Sequence, residues 1–439
     1  MSKLKIITLL AGIFFVAVPA FVQAYQITPN PNPAGSTIAV ITLDATNSLS
    51  FENYGSLDIS YYGGYGTLNN DSGGMLNSYS GGTLNIESGG ALNNYGTLAN
   101  SGTLNNDHIQ STLNNYGTLD NVFILNNSGT LNNSGLLNNA SGGGIYNSGT
   151  LNTSGTLNNQ FHGFLSNSAG GTLNNQGTLY NRVGSELENS GTLNNYGVLN
   201  NVMAAILTNH LGGILNNFGT LNNGESGILN NYGTLNNSGN LGNTGTISGT
   251  GTYIQTAGET FNNGSMTQAS FQFNGGSLSG TGTMNGNVTI GAGASVNPGN
   301  SPGTMTINGN FTSGGTLIFE VAGLAAGQYD VLNINGNALF TGGTIRFDFL
   351  NSFNAMAGNY WDFLLADSVT GWDTLSFIFN GLDSGLGWSF TKLDNGSERL
   401  WLASNTPVSP VPEPETYAML LAGLGLLAFT ARGKKDLYV

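Results

Sequence analysis

The chain has 439 residues, 68 of them glycine, with only 7% charged and no cysteine, which excludes disulfides and thiolate metal sites. The formal net charge is −14, and residues 25–411 hold 20 acidic against 4 basic side chains (Arg182, Arg346, Lys392 and Arg399), a net −16. Such a body lacks the clustered Lys/Arg that nucleic acid requires, and anionic membrane surfaces repel it.

The N-terminus opens with Lys3 and Lys5, followed by an uncharged apolar stretch over 6–18. Val22 and Ala24 then supply small residues at the two positions that signal peptidase reads. The expectation is a secretory signal peptide over 1–24, cut after Ala24. Residues 25–50 follow as a Pro-containing lead-in and N-terminal cap. Ile38, Val40, Ile41 and Leu43 fit a capping strand, which a solenoid needs where its end would otherwise be exposed.

Residues 51–248 repeat the unit Gly-Thr-Leu-Asn-Asn plus a turn residue. The apolar anchors from Ile145 to Leu187 (Leu151, Leu157, Leu165, Leu173, Leu179) are spaced 6, 6, 8, 8, 6 and 8 residues apart. Those from Leu187 to Leu229 repeat the same series, so the full period is 42 residues with six anchors. Spacings of 6 and 8 do not track a helical period, and Gly and Asn are poor helix interiors. The period divides instead into two coils of 20 and 22 residues, each with three short strands. Leu then points inward, Thr and the first Asn point out, and the second Asn stacks on its neighbours as an amide ladder. Glycine is expected at the corner for its conformational freedom. The fold predicted is all-β, a right-handed parallel β-helix, with nine coils between Leu57 and Ile247. At one strand spacing per coil that is a rod of roughly 43 Å. The competing reading is a disordered Asn-rich polymer.

Residues 249–315 read as a looser continuation of the β-helix. Within it, residues 291–311, with Asn297-Pro298-Gly299-Asn300-Ser301-Pro302-Gly303, resemble a stretch common in autotransporter passenger domains, which are right-handed β-helices displayed on bacterial surfaces. No translocator barrel follows it here. Residues 316–404 contain all four tryptophans and dense apolar runs, and read as a β-rich C-terminal cap. Residues 405–411 are a linker.

Residues 412–435 form a second tripartite signal: Pro412-Glu413-Pro414, an apolar run over 416–431, and the basic end Arg432, Lys434 and Lys435. The run reads as a C-terminal transmembrane helix held with its basic end in the cytoplasm. This segment resembles the PEP-CTERM sorting signal of Gram-negative bacteria. The resemblance implies transient anchoring in the inner membrane, processing by an exosortase-like membrane protease, and delivery to the surface or exterior of bacteria that make exopolysaccharide.

Little in the body suggests chemistry. His108, His162 and His210 do not align on one face, so no metal site is expected. The repeat-region acids Asp71, Glu87, Asp107, Asp120, Glu186, Glu188 and Glu225 are scattered, and only Arg182 lies near the Glu186–Glu188 pair. A β-helix polysaccharide lyase or hydrolase, the alternative reading, requires clustered carboxylates or a Lys/Arg base. The turn position after Asn-Asn is often aromatic, at Tyr95, Tyr116, Tyr196, Phe218 and Tyr232, and these are candidates for stacking on sugar rings. The expectation is a non-catalytic, exported structural or adhesive protein without cofactor. Its partners would be signal peptidase and an exosortase during export, then extracellular polysaccharide, and no nucleic acid.

Overall fold

The computed structural model describes residues 25–40, 45–59, 66–350 and 353–404, with Met419, Leu421, Ala422, Leu424 and Leu427 of the tail. The expected signal peptide with Ala24, Ile41 and Leu43 of the capping strand, and the linker lie outside the described residues. So does the predicted transmembrane helix, apart from those five tail positions, which have helical backbone. Among the described residues no helix is long and apolar enough to cross a membrane.

The body is a parallel β-solenoid of about 13 turns. Each repeat unit forms a four-residue strand, too short to persist alone, and gains partners on both sides by stacking one coil away. Thr112–Asn115 lies between Ala91–Asn94 and Thr130–Asn133, on what we call the first face. Thr118–Asn121 lies between Thr97–Asn100 and Leu136–Asn139, on the second. Thr103–Asn106 lies between Thr83–Ile86 and Ile124–Asn127, on the third. Register is strict, leucine on leucine, as at Leu113↔Leu131 and Leu119↔Leu137. From Leu57 to Ile247 the third face takes the nine steps that the spacing predicts.

Strand alternation sends two of every four side chains inward. In Thr112–Asn115 the leucine and the second asparagine are buried, while the threonine and first asparagine are half-buried. A buried leucine contributes about 1.5–3 kcal/mol. The wall is therefore stable although the interior is only about one leucine per strand thick.

The buried asparagines form the expected ladders, one at each corner of the coil. Asn94 Nδ2 donates to Asn115 Oδ1 at 2.7 Å and also to the carbonyl of Thr118 beyond the corner at 2.8 Å. Asn121, Asn139, Asn159, Asn181 and Asn201 continue the same pattern on the second face. Each amide thus ties its coil to the next one and closes the turn.

The corner glycines have a different cause from the one expected. Gly96, Gly117, Gly135, Gly155, Gly177 and Gly197 are not among the residues with positive φ. They are glycine because they stack: a Cβ on Gly117 would lie 2.1 Å from the carbonyl oxygen of Gly96, and one on Gly197 would lie 2.0 Å from that of Gly177. In this part of the rod positive φ belongs to the longer, eight-residue corners, as at Gly170 (φ 85°), where a Cβ would meet nothing within 4 Å.

Beyond residue 248 the solenoid continues without a break. Strands merge across corners into the 16-residue Ser265–Gly280 and Thr283–Pro298, which pair in parallel. The segment with the passenger-like motif is part of this wall. The coils then widen, with Leu317↔Ile345 followed by Ile345↔Phe377, and aromatic rings replace leucine inside. Phe319, Phe347 and Phe379 stack in succession, with centroids 5.6 and 5.2 Å apart. The parallel series ends at Ser376–Asn380, and an antiparallel hairpin, Leu386–Lys392 and Glu398–Ser404, closes the end by pairing with Tyr360–Thr370.

Candidate functional site

The outer surface of the repeat region is built from the half-buried positions. On the first face these are almost uniformly Thr and Asn. The outward asparagines form a second, external ladder: Asn114 donates to Asn93, Asn132 to Asn114, Asn152 to Asn132, and so on to Asn236, all at 2.8–2.9 Å. This ladder donates toward the N-terminal end, whereas the buried ladder donates toward the C-terminal end. The two rows of amide dipoles therefore oppose each other. No outward position of the first face between residues 67 and 236 is charged. The second and third faces are less regular and carry Asp58, Asp120, Arg182, Glu186 and Glu188.

The predicted aromatics fall at two corners. Tyr95, Tyr116, Tyr196 and Phe218 share the corner that follows the first face, and Tyr232 lies at the corner that follows the third. All five are exposed. Tyr95 and Tyr116 stack on each other, as do Tyr196 and Phe218, with centroids 4.8 Å apart in each pair. One ring face in each is thus turned to its neighbour, and the pairs brace adjacent coils. Tyr54 and Tyr79 form a similar stack, at 4.5 Å.

The titratable groups of the rod stay at its surface. His210 Nε2 lies 3.6 Å from Glu188 Oε2, with both side chains exposed. Arg182 bonds Gln160 and lies over the ring of Tyr180, rather than reaching Glu186 or Glu188. Stacking does gather some acids: burial raises the Glu87 carboxyl above the usual range, and the charges of Asp58 and Asp107 add to this. Among the described residues no group of three His, Asp or Glu side chains is placed to hold a metal ion.

The C-terminal cap brings together residues that no motif groups. Asp330 is buried, and its carboxylate accepts the N–H of Gly303 at 2.7 Å and that of Glu320 at 2.8 Å, tying the 299–303 turn to the wall. Burial pushes its carboxyl up to about 7; the two N–H bonds pull against this, and the charge of Glu320 adds to it. On the outer face of the closing hairpin, the exposed rings of Tyr360 and Trp401 lie opposite each other across antiparallel strands. Asp362 and Arg399 sit beside them as an ion pair. Separations of some 40 residues, set by the last coil, hide this cluster from a reading of local spacing.

The sorting residues Pro412, Glu413, Pro414, Arg432, Lys434 and Lys435 lie outside the described residues. A family model, the PEP-CTERM protein-sorting motif, matches residues 410–435. No curated protein matches the chain. The chain is a β-solenoid protein that carries a PEP-CTERM protein-sorting motif, which implies export, transient membrane anchoring by the C-terminus and processing by an exosortase.

Proposed function

We propose that the mature protein is a non-catalytic structural or adhesive component of the cell surface or extracellular matrix, associated there with exopolysaccharide. The sorting motif at 410–435 carries this reading, because it implies an extracellular destination for whatever precedes it. The body suits such a role. A rod with a Thr/Asn surface offers many weak, repeated hydrogen-bonding positions, and repetition converts weak contacts into retention. Its net charge of −16 over residues 25–411 keeps it soluble and makes neutral glycans better partners than acidic ones. Signal peptidase and an exosortase would act on the chain during export.

The test compares cells that express the full chain with cells that express it without residues 412–435. The full chain is expected to lose its tail and to fractionate with the surface and matrix polysaccharide. The truncated chain is expected to miss that fraction. Unchanged destination and mass in the truncated form would refute the sorting part. A processed chain that washes free of the polysaccharide would refute the matrix part.

A further inference from the structure

We propose that the outer face of the closing hairpin is a binding site for a neutral pyranose polysaccharide, centred on Trp401, Tyr360, Arg399 and Asp362. The proposal rests on the matrix reading above and gives it a location away from the rod corners.

The site is built by antiparallel pairing. Tyr360 is the register partner of Trp401, and Asp362 is the partner of Arg399, so all four side chains emerge on one face. The two rings are nearly parallel, at 4°, with centroids 5.5 Å apart, and both are exposed. The Arg399 guanidinium lies over Tyr360, 4.1 Å from its centroid. It also grips Asp362 with two bonds, Nε to Oδ1 at 2.5 Å and Nη2 to Oδ2 at 2.9 Å. Beside the pair opens a cleft of about 380 Å³, lined by Leu324, Tyr329, Gly358, Asn359, Tyr360 and Asp362.

A pyranose ring has an apolar C–H face and a rim of hydroxyls that each donate and accept. An exposed indole suits the first. The second needs donors and acceptors held rigidly side by side, and an Arg–Asp fork supplies both. Each partner fixes the other, and Tyr360 fixes Arg399 through a cation–π contact, so little side-chain entropy remains to be lost on binding. The ion pair is neutral as a unit and the surrounding body is acidic, which favours an uncharged sugar over a uronic acid. The aromatic pairs on the rod are stacked in the same way but present less, because no Arg–Asp fork flanks them.

Isothermal titration of the full-length chain in mild detergent, against cellohexaose, mannohexaose and hexagalacturonate, tests this. At least one neutral hexasaccharide is expected to bind and the uronate to bind more weakly. Trp401→Ala and Arg399→Gln should each weaken the neutral ligand by roughly tenfold, Trp401→Phe should keep most of the affinity, and Tyr116→Ala should change nothing. Circular dichroism of each variant checks the fold. Absence of neutral-sugar binding, preference for the uronate, or affinity insensitive to both Trp401→Ala and Arg399→Gln would overturn the proposal. A Trp401→Ala chain that stays with the matrix in cells also overturns the site, but leaves the matrix reading standing. A wild-type chain that washes free removes the matrix reading itself.

Discussion

Asn94 and Asn115 stand one coil apart in the chain, and in the fold Asn94 Nδ2 donates a hydrogen bond of 2.7 Å to Asn115 Oδ1, from the earlier coil to the later one. Because the ladder runs one way, each Oδ1 depends on the coil before it. Where that coil carries another residue, the acceptor is left over. Ser78, Ile86 and Thr153 interrupt the series, and Oδ1 of Asn100, Asn106 and Asn175 is buried without a hydrogen-bond partner.

Thr153→Asn should therefore stabilise the rod by about 1 kcal/mol, by giving Asn175 Oδ1 a donor. The reverse change in mid-ladder, Asn195→Ala, removes bonds to Asn217 Oδ1 and the Thr220 carbonyl and leaves the Asn175 amide with only its bond to the Val198 carbonyl. It should cost about 2–4 kcal/mol. Thermal midpoints by circular dichroism check both signs. Equal and opposite shifts would contradict the directional ladder.

The two kinds of glycine corner should respond differently to alanine. Gly197→Ala places a methyl 2.0 Å from the Gly177 carbonyl oxygen and must push two coils apart. Gly170→Ala meets no neighbour and is strained only by its positive φ. The second should cost about 1 kcal/mol, and the first considerably more. Denaturant midpoints of the two variants decide the order.

Stability should fall as pH rises from acid toward neutral. The folded Asp330 carboxyl, pushed up to about 7 chiefly by burial, holds its proton more tightly than the unfolded one. Its contribution is complete below the unfolded value near pH 4 and is lost as pH passes through about 7, an effect of up to about 4 kcal/mol. Glu398, raised by burial, shifts stability in the same direction. In a thermal series from pH 4 to pH 8, Asp330→Asn should flatten the slope while lowering stability throughout, because one backbone N–H then faces an amide N–H.

Reversing the charge at the end of the tail should trap or misplace the protein. The proposed anchoring, taken with the positive-inside rule, predicts that Arg432, Lys434 and Lys435 keep that end in the cytoplasm. Their joint replacement by Glu should leave a full-mass form in cells where the native chain is processed. Immunoblots of cell fractions report this directly.

Much of the rod was legible from the order of residues because a solenoid makes distant contacts periodic. The apolar anchors need no guessed partner: Ile145 meets Leu165 because the same pattern returns one coil later. The buried asparagine ladder followed from the same period. The glycines were legible as corners but not for their reason, since the carbonyl that excludes a Cβ at Gly117 belongs to Gly96 of another coil. The first-face aromatics were legible as exposed turn residues. That they stack in pairs was not, because stacking depends on which corners align.

The strand repeat, the inward leucines, the acidic charge and the sorting signal at 410–435 are local or periodic properties, and the residue order alone specifies them. How the rod ends was settled only in three dimensions. Past residue 248 the Gly-Thr-Leu-Asn-Asn period is gone, and the pairing of Tyr360 with Trp401, of Asp362 with Arg399, and of Asp330 with Gly303 depends on how wide coils close over an aromatic interior. Repetition lets a chain announce its own contacts in advance, and where repetition stops those contacts are set by packing alone.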